Sequence, residues 1–137
     1  MRILVIDAQG GGIGKQLIAA IKQELPEAKI TAVGTNSNAT AVMLKSGADE
    51  AATGENSVVV CAKNADVIVG PIGIVIADAL LGEITPKMAL AVAQSNAVRV
   101  LIPFNHCDNY IAGVSDLNTK TLINDAVRKI KALEAEY

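Results

Sequence analysis

Tryptophan is missing from this 137-residue chain, and one phenylalanine and two tyrosines are all its aromatic residues. So few rings leave little for a base to stack on. With 12 basic against 14 acidic side chains and no basic cluster, there is also no positive field to attract a phosphate backbone. Both absences argue against nucleic acid as a partner. Cysteine is scarce too: Cys61 and Cys107 form no CxxC pair, and a single histidine, His106, offers no further ligands for zinc. The two thiols are expected to be reduced. Long apolar runs are lacking as well, because the best, from Val67 to Leu81, is broken by Gly70, Pro71, Gly73 and Asp78 and falls short of the ~20 residues of a spanning helix. At the amino terminus the apolar run is only Ile3 to Ile6, which is no signal-peptide layout. The expectation is a cytoplasmic protein with no membrane partner.

What the chain has in quantity is alanine, valine and isoleucine, which lift its hydrophobic share to 51%. Short β-branched runs of this kind read as parallel strands buried on both faces. The length suits one domain over 1–137 with no room for a separate substrate domain. So much apolar surface in so small a domain further suggests a homo-oligomer.

Along the chain, Arg2 to Ile6 reads as a strand that ends at Asp7, followed by glycines and then a helix with apolar residues from Ile13 to Leu25. Lys29 to Val33 gives a second strand, and Ala39 to Ser46 a helix closed by Gly47. Glu50 to Thr53 is a short third strand, Ser57 to Ala62 a helix, and Asp66 to Val69 a buried strand. Ile72 to Leu81 reads as an apolar helix in which Asp78 is out of place. Thr85 followed by Pro86 starts another helix. Val98 to Ile102 is a fifth strand, Tyr110 to Val114 reads as one more, and an amphipathic helix fills Thr119 to Glu136. This order predicts a single Rossmann-like α/β domain, a mostly parallel sheet of about five to six strands with helices on both faces. Ligands in such sheets bind beyond the carboxyl ends of the strands.

The first of those ends carries DAQGGGIGK, residues 7–15. Glycines allow close backbone approach, and the helix that follows presents free N–H groups, which together suit a phosphate. No known loop pattern fits throughout. GxGxxG ending at Gly14 finds Gln9 where its first glycine belongs; TGxxxGIG finds Asp7 and Ala8 for Thr-Gly. The Walker pattern matches Gly14 and Lys15 but has Gln16 in place of its magnesium-binding hydroxyl. A dinucleotide-type turn is therefore preferred to a degenerate P-loop ATPase, with a packing turn that binds nothing as the bland alternative. Alanine at Gly12 or Gly14 is expected to obstruct either kind of turn.

At the end of the second strand, where NAD-binding domains place an acidic residue, stand Gly34, Thr35, Asn36 and Ser37. Thr35 and Asn36 are candidates for the ribose end, with capping of the next helix as the alternative. Their neutrality tolerates NADP, although no arginine is near. Gly70 and Pro71 end another strand and join the candidate site with Gly10, Gly11, Gly12, Ile13, Gly14 and Lys15. Asn105, His106 and Cys107 follow the fifth strand, but neighbouring residues at a strand end point apart, which disfavours a thiol–imidazole pair. Glu83 is either a ligand-facing carboxylate or, more simply, a cap or surface residue.

The segments DAQGGGIGK, AVGTNSNATAVML, GA with ATGEN, DVIVGP and GEITPKMA together resemble the family of short proteins called domain of unknown function 3842. The likeness runs over nearly the whole chain. It implies a short Rossmann-like architecture and supplies no activity. The sequence thus points to a protein that binds a small-molecule nucleotide, NAD or NADP first among them, through residues 10–15. The alternative is a non-catalytic ligand-sensing or assembly subunit. Nothing in the sequence decides whether it is an enzyme.

Overall fold

The structure, a computed structural model, describes residues 1–103, 109–114 and 118–137. Five parallel strands form one sheet: β1 (Arg2–Asp7), β2 (Lys29–Gly34), β3 (Glu50–Thr53), β4 (Val67–Pro71) and β5 (Val98–Ile102). Their spatial order is β3-β2-β1-β4-β5, the order of a Rossmann sheet. The helices are α1 (Gly12–Glu24), α2 (Ser37–Lys45), α3 (Glu55–Asn64), α4 (Pro86–Gln94) and α5 (Thr119–Glu136).

Side chains alternate across a strand, so β1 feeds two cores. Ile3 and Val5 pack with Leu17, Ile18 and Ile21 of α1 and Ile130 of α5. Leu4 and Ile6 point the other way, onto Val58 of α3 and Met88 and Val92 of α4. Burial on both faces explains why β1 and β4 are continuous apolar runs rather than alternating ones, whereas the edge strands β3 and β5 are partly exposed. The chain winds outward from β1 through β2 to β3, then crosses back to β4. That reversal leaves a crevice between the carboxyl ends of β1 and β4.

Helix starts follow their local chemistry. Thr85 caps α4, its hydroxyl accepting from Met88 N–H at 3.2 Å, and Pro86 takes the first helical position, where its missing N–H costs nothing. Asn118 caps α5 in the same way through Thr121 N–H.

Two expected elements do not form. Ile72–Leu81 is not a helix; a single 3-10 turn (Ile72–Val75) leads into a run of turns. The cause is backbone conformation: Asp78, Leu80, Leu81 and Gly82 all lie in the left-handed region, at φ 65°, 58°, 58° and 83°. A right-handed helix cannot continue through them. Asp78 is exposed, so it brings no buried charge. Tyr110–Val114 is not a sixth strand. It is a turn in which Val114 N–H bonds to Ile111 C=O, and Tyr110 is solvent-exposed. The apolar residues there, Tyr110 to Ala112 and Val114, reflect no sheet partner. Asn105, His106 and Cys107 lie outside the described residues.

Candidate functional site

At the head of β1, Asp7 is buried, only 5% exposed. Its carboxylate accepts from Ala8 N–H at 2.8 Å and from Gly14 N–H at 2.7 Å, fastening the glycine loop back onto its own strand. Burial pushes the Asp7 carboxyl above its ordinary value. The N–H donors of Gly14, Ala8 and Ile13 pull the other way without cancelling it, and the nearby charge of Glu83 adds to the rise.

The loop's glycines fall into two groups. Gly11 is left-handed at φ 71°, and a Cβ on it would come within 3.0 Å of Ala39 Cα. On Gly14 a Cβ would sit 2.4 Å from Met43 Sδ and 3.1 Å from Asp7 Cβ, so this glycine lets α1 approach α2 and β1. Gly10 and Gly12 are different: a Cβ on either would meet nothing within 4 Å. The expectation that alanine at Gly12 harms packing is therefore corrected, since that position faces open space. Gln9, standing where GxGxxG has glycine, adopts the left-handed conformation a glycine would favour, at φ 50°.

Gly10 and Gly12 also line a cleft of about 270 Å³ that takes in Ile13, Gln16, Pro71, Leu80 and Thr119. Sequence-predicted residues 10–13 and Pro71 thus meet in one place, across the β1–β4 crevice. Gly70 does not line it. A Cβ on Gly70 would stand 2.3 Å from Ile6 C=O, so this glycine serves the fit of β4 against β1. Lys15 is exposed and outside the cleft. Gly12 N–H, at the amino end of α1, and Gly10 N–H have no hydrogen-bond partner among the described residues.

Thr35 and Asn36 are at the end of β2, and both are engaged by Glu83; like Lys15, none of the three lines the cleft, which they border through Gln9. Its Oε1 accepts from Thr35 Oγ1 at 2.6 Å, from Asn36 Nδ2 at 2.8 Å and from Gln9 N–H at 2.8 Å. Asn36 also caps α2, accepting from Ala39 N–H at 2.9 Å, so its capping and site roles coexist. Glu83 is neither a helix cap nor a free surface carboxylate. It crosses from the segment before α4 to tie the glycine loop to β2. The sequence signal was slight: one acid between Gly82 and the Thr85-Pro86 helix start. The two left-handed leucines that deliver it, Leu80 and Leu81, each cost on the order of 1 kcal/mol or more.

Burial opposes the charged form of Glu83. The bonds from Thr35, Gln9 and Asn36 outweigh that opposition and hold its carboxyl below the ordinary value. A depressed folded-state value stabilises the fold above the unfolded value of 4.5, and the contribution disappears as pH falls through the folded one. Glu83→Gln keeps the shape and removes the charge. It should lower stability by about 1 kcal/mol at neutral pH. In melting curves the gap to wild type should close as pH falls below the unfolded value of 4.5 and through the lower folded one. A gap independent of pH would mean the charge on Glu83 contributes nothing to folding.

Parallel order β3-β2-β1-β4-β5, a glycine turn into α1 and a cleft at the strand reversal define a Rossmann-type α/β domain. The chain belongs to the DUF3842 family, described as a domain of unknown function, whose pattern matches residues 2–135. No curated protein matches it. Similar solved structures include saccharopine dehydrogenase (L-Glu forming) from Saccharomyces cerevisiae, at 15% identity and a TM-score of 0.48, over 94% of this chain and 23% of the dehydrogenase. A dodecameric FMN-dependent UbiX-like decarboxylase from Escherichia coli O157:H7 is 17% identical with a TM-score of 0.48, over 96% of this chain and 77% of the decarboxylase. This chain therefore spans less than a quarter of the dehydrogenase. Among the described residues no helix is long and apolar enough to cross a membrane.

Proposed function

We propose that the β1–β4 cleft binds the phosphate-bearing part of a nucleotide or dinucleotide, of the NAD or NADP type, with Thr35 and Asn36 toward the ribose. The observation that carries this reading is the open space at Gly10 and Gly12. Two loop glycines that no packing requires line a cleft beside the amino end of a 13-residue helix. A phosphate there gains N–H donors and the positive end of the helix dipole. The cleft's volume fits a phosphate with its sugar, and the remainder of a dinucleotide lies across the strand ends. Among the described residues no lysine or arginine lines the cleft, so in this reading the backbone holds the phosphate. The same proposal includes self-association, for which Leu44, Val60, Leu90 and Val98 are exposed apolar side chains.

A thermal-shift panel of NAD, NADP, ATP, coenzyme A, S-adenosylmethionine and flavins, with and without magnesium, tests the reading. A ligand at a hundredfold excess over Kd adds about 2.7 kcal/mol of stability. NAD or NADP should raise Tm without magnesium. Because Lys15 is outside the cleft, Lys15→Ala should keep both its unliganded Tm and the ligand shift. A response confined to ATP with magnesium would favour the P-loop alternative, and loss of the shift in Lys15→Ala would put the phosphate at the lysine.

A further inference from the structure

We infer that Glu83 is the ribose acceptor of this site, and that the bound nucleotide carries free 2′- and 3′-hydroxyls rather than a 2′-phosphate. The inference rests on the nucleotide-binding reading above and names the ligand more narrowly.

In Rossmann domains an acidic side chain at the end of the second strand accepts the ribose hydroxyls. Here that strand ends in Gly34 and Thr35, and Asn36 follows, none of them acidic. The carboxylate that stands there arrives from a distant part of the chain. Glu83 touches Thr35 and Asn36 on β2's side and Gln9 on the loop's side, and Gln9 occupies the place of the pattern's first glycine. The carboxylate therefore lies between the glycine turn and the end of β2, the place where the fold puts a ribose.

Its two oxygens are used unequally. Oε1 takes all three protein donors, whereas Oε2 has no hydrogen-bond partner among the described residues. A tie that served only to hold the loop would be complete with Oε1. The second oxygen is left to accept hydroxyl donors. Backbone strain is an independent sign: the residues just before Glu83, Leu80, Leu81 and Gly82, are all left-handed, and so is Gln9, which it binds. Strain of this kind collects where a side chain must be held in a demanding place. Leu80 also lines the phosphate cleft, so the strained turn borders both halves of the site.

Charge then sets the preference. A 2′-phosphate would meet the Glu83 carboxylate, and among the described residues no lysine or arginine forms an ion pair with that carboxylate to offset the repulsion. A ribose diol would meet an acceptor. Neutral residues at the end of β2 leave NADP open in the sequence; the carboxylate delivered from position 83 closes it.

Calorimetric titration of the wild-type chain and Glu83→Gln with NAD and with NADP tests this. Wild type should bind NAD at least about tenfold more tightly than NADP, the scale of one charged hydrogen bond. In Glu83→Gln the preference should shrink to within about threefold, through weaker NAD and stronger NADP binding. Equal affinities in wild type, or NADP tighter than NAD, would overturn the role of Glu83 while leaving nucleotide binding standing. An unchanged preference in Glu83→Gln would also overturn it. If wild type binds neither nucleotide, the binding reading and this inference fail together. The wild-type comparison requires no variant, so it decides even if Glu83→Gln does not fold.

Discussion

Gly70→Ala should be the most damaging single methyl group in the molecule, costing about 3 kcal/mol or more and lowering Tm by about 10 °C. The added Cβ would stand 2.3 Å from Ile6 C=O, with Ile74 Cδ1 at 3.2 Å on another side. Ile6 is on the central strand, paired to β2 opposite Val33, and is 1% exposed. A flexible side chain can rotate away from an intruding atom; the backbone of a strand paired on both sides cannot. Relief would need β4 to lift from β1, opening the boundary on which the cleft depends. Thermal or urea unfolding of the variant gives the answer. A Tm within about 3 °C of wild type would show that β1 and β4 have slack, and would return Gly70 to the ligand-contacting residues.

β1, β2 and β4 were readable because burial writes itself as largely apolar runs, Ile3 to Ile6, Ile30 to Val33 and Val67 to Val69. Capped or amphipathic helices were equally open to reading: α4 starts at Thr85-Pro86, and α5 covers the predicted Thr119 to Glu136. Ile72–Leu81 misled because apolar composition does not report backbone handedness. Leucines at 80 and 81 carry no signal for the left-handed region, where tertiary contacts hold them. In the candidate site, Gly10 to Ile13 and Pro71 were legible because strand order alone makes the ends of β1 and β4 neighbours. Glu83 was not. It meets Thr35 across a sequence separation of 48, and hydrogen bonds of that range leave no local pattern. Nor does spacing separate Gly12 from Gly14. One faces open cleft and the other packs on Met43, a difference set by where α2 lies.

That difference gives the sharpest separation of a phosphate loop from a packing turn. Gly12 is the first residue of α1, exposed, with nothing near its missing Cβ. Alanine there should leave Tm unchanged or raise it, since removing a glycine from a helix contributes up to about 1 kcal/mol. On the proposed binding mode the same methyl group crowds a phosphate held at Gly10 and Gly12 N–H. Binding of NAD should weaken at least tenfold, about 1.4 kcal/mol, so at a hundredfold excess over the wild-type Kd the thermal shift should fall to about half or less. Gly14→Ala should do the reverse, losing stability because its Cβ meets Met43 Sδ at 2.4 Å in a buried place. With NAD near saturation, a stable Gly12→Ala protein that keeps the full wild-type shift would mean that the nucleotide sits elsewhere. The loop would then be only the turn that brings α1 back onto the sheet.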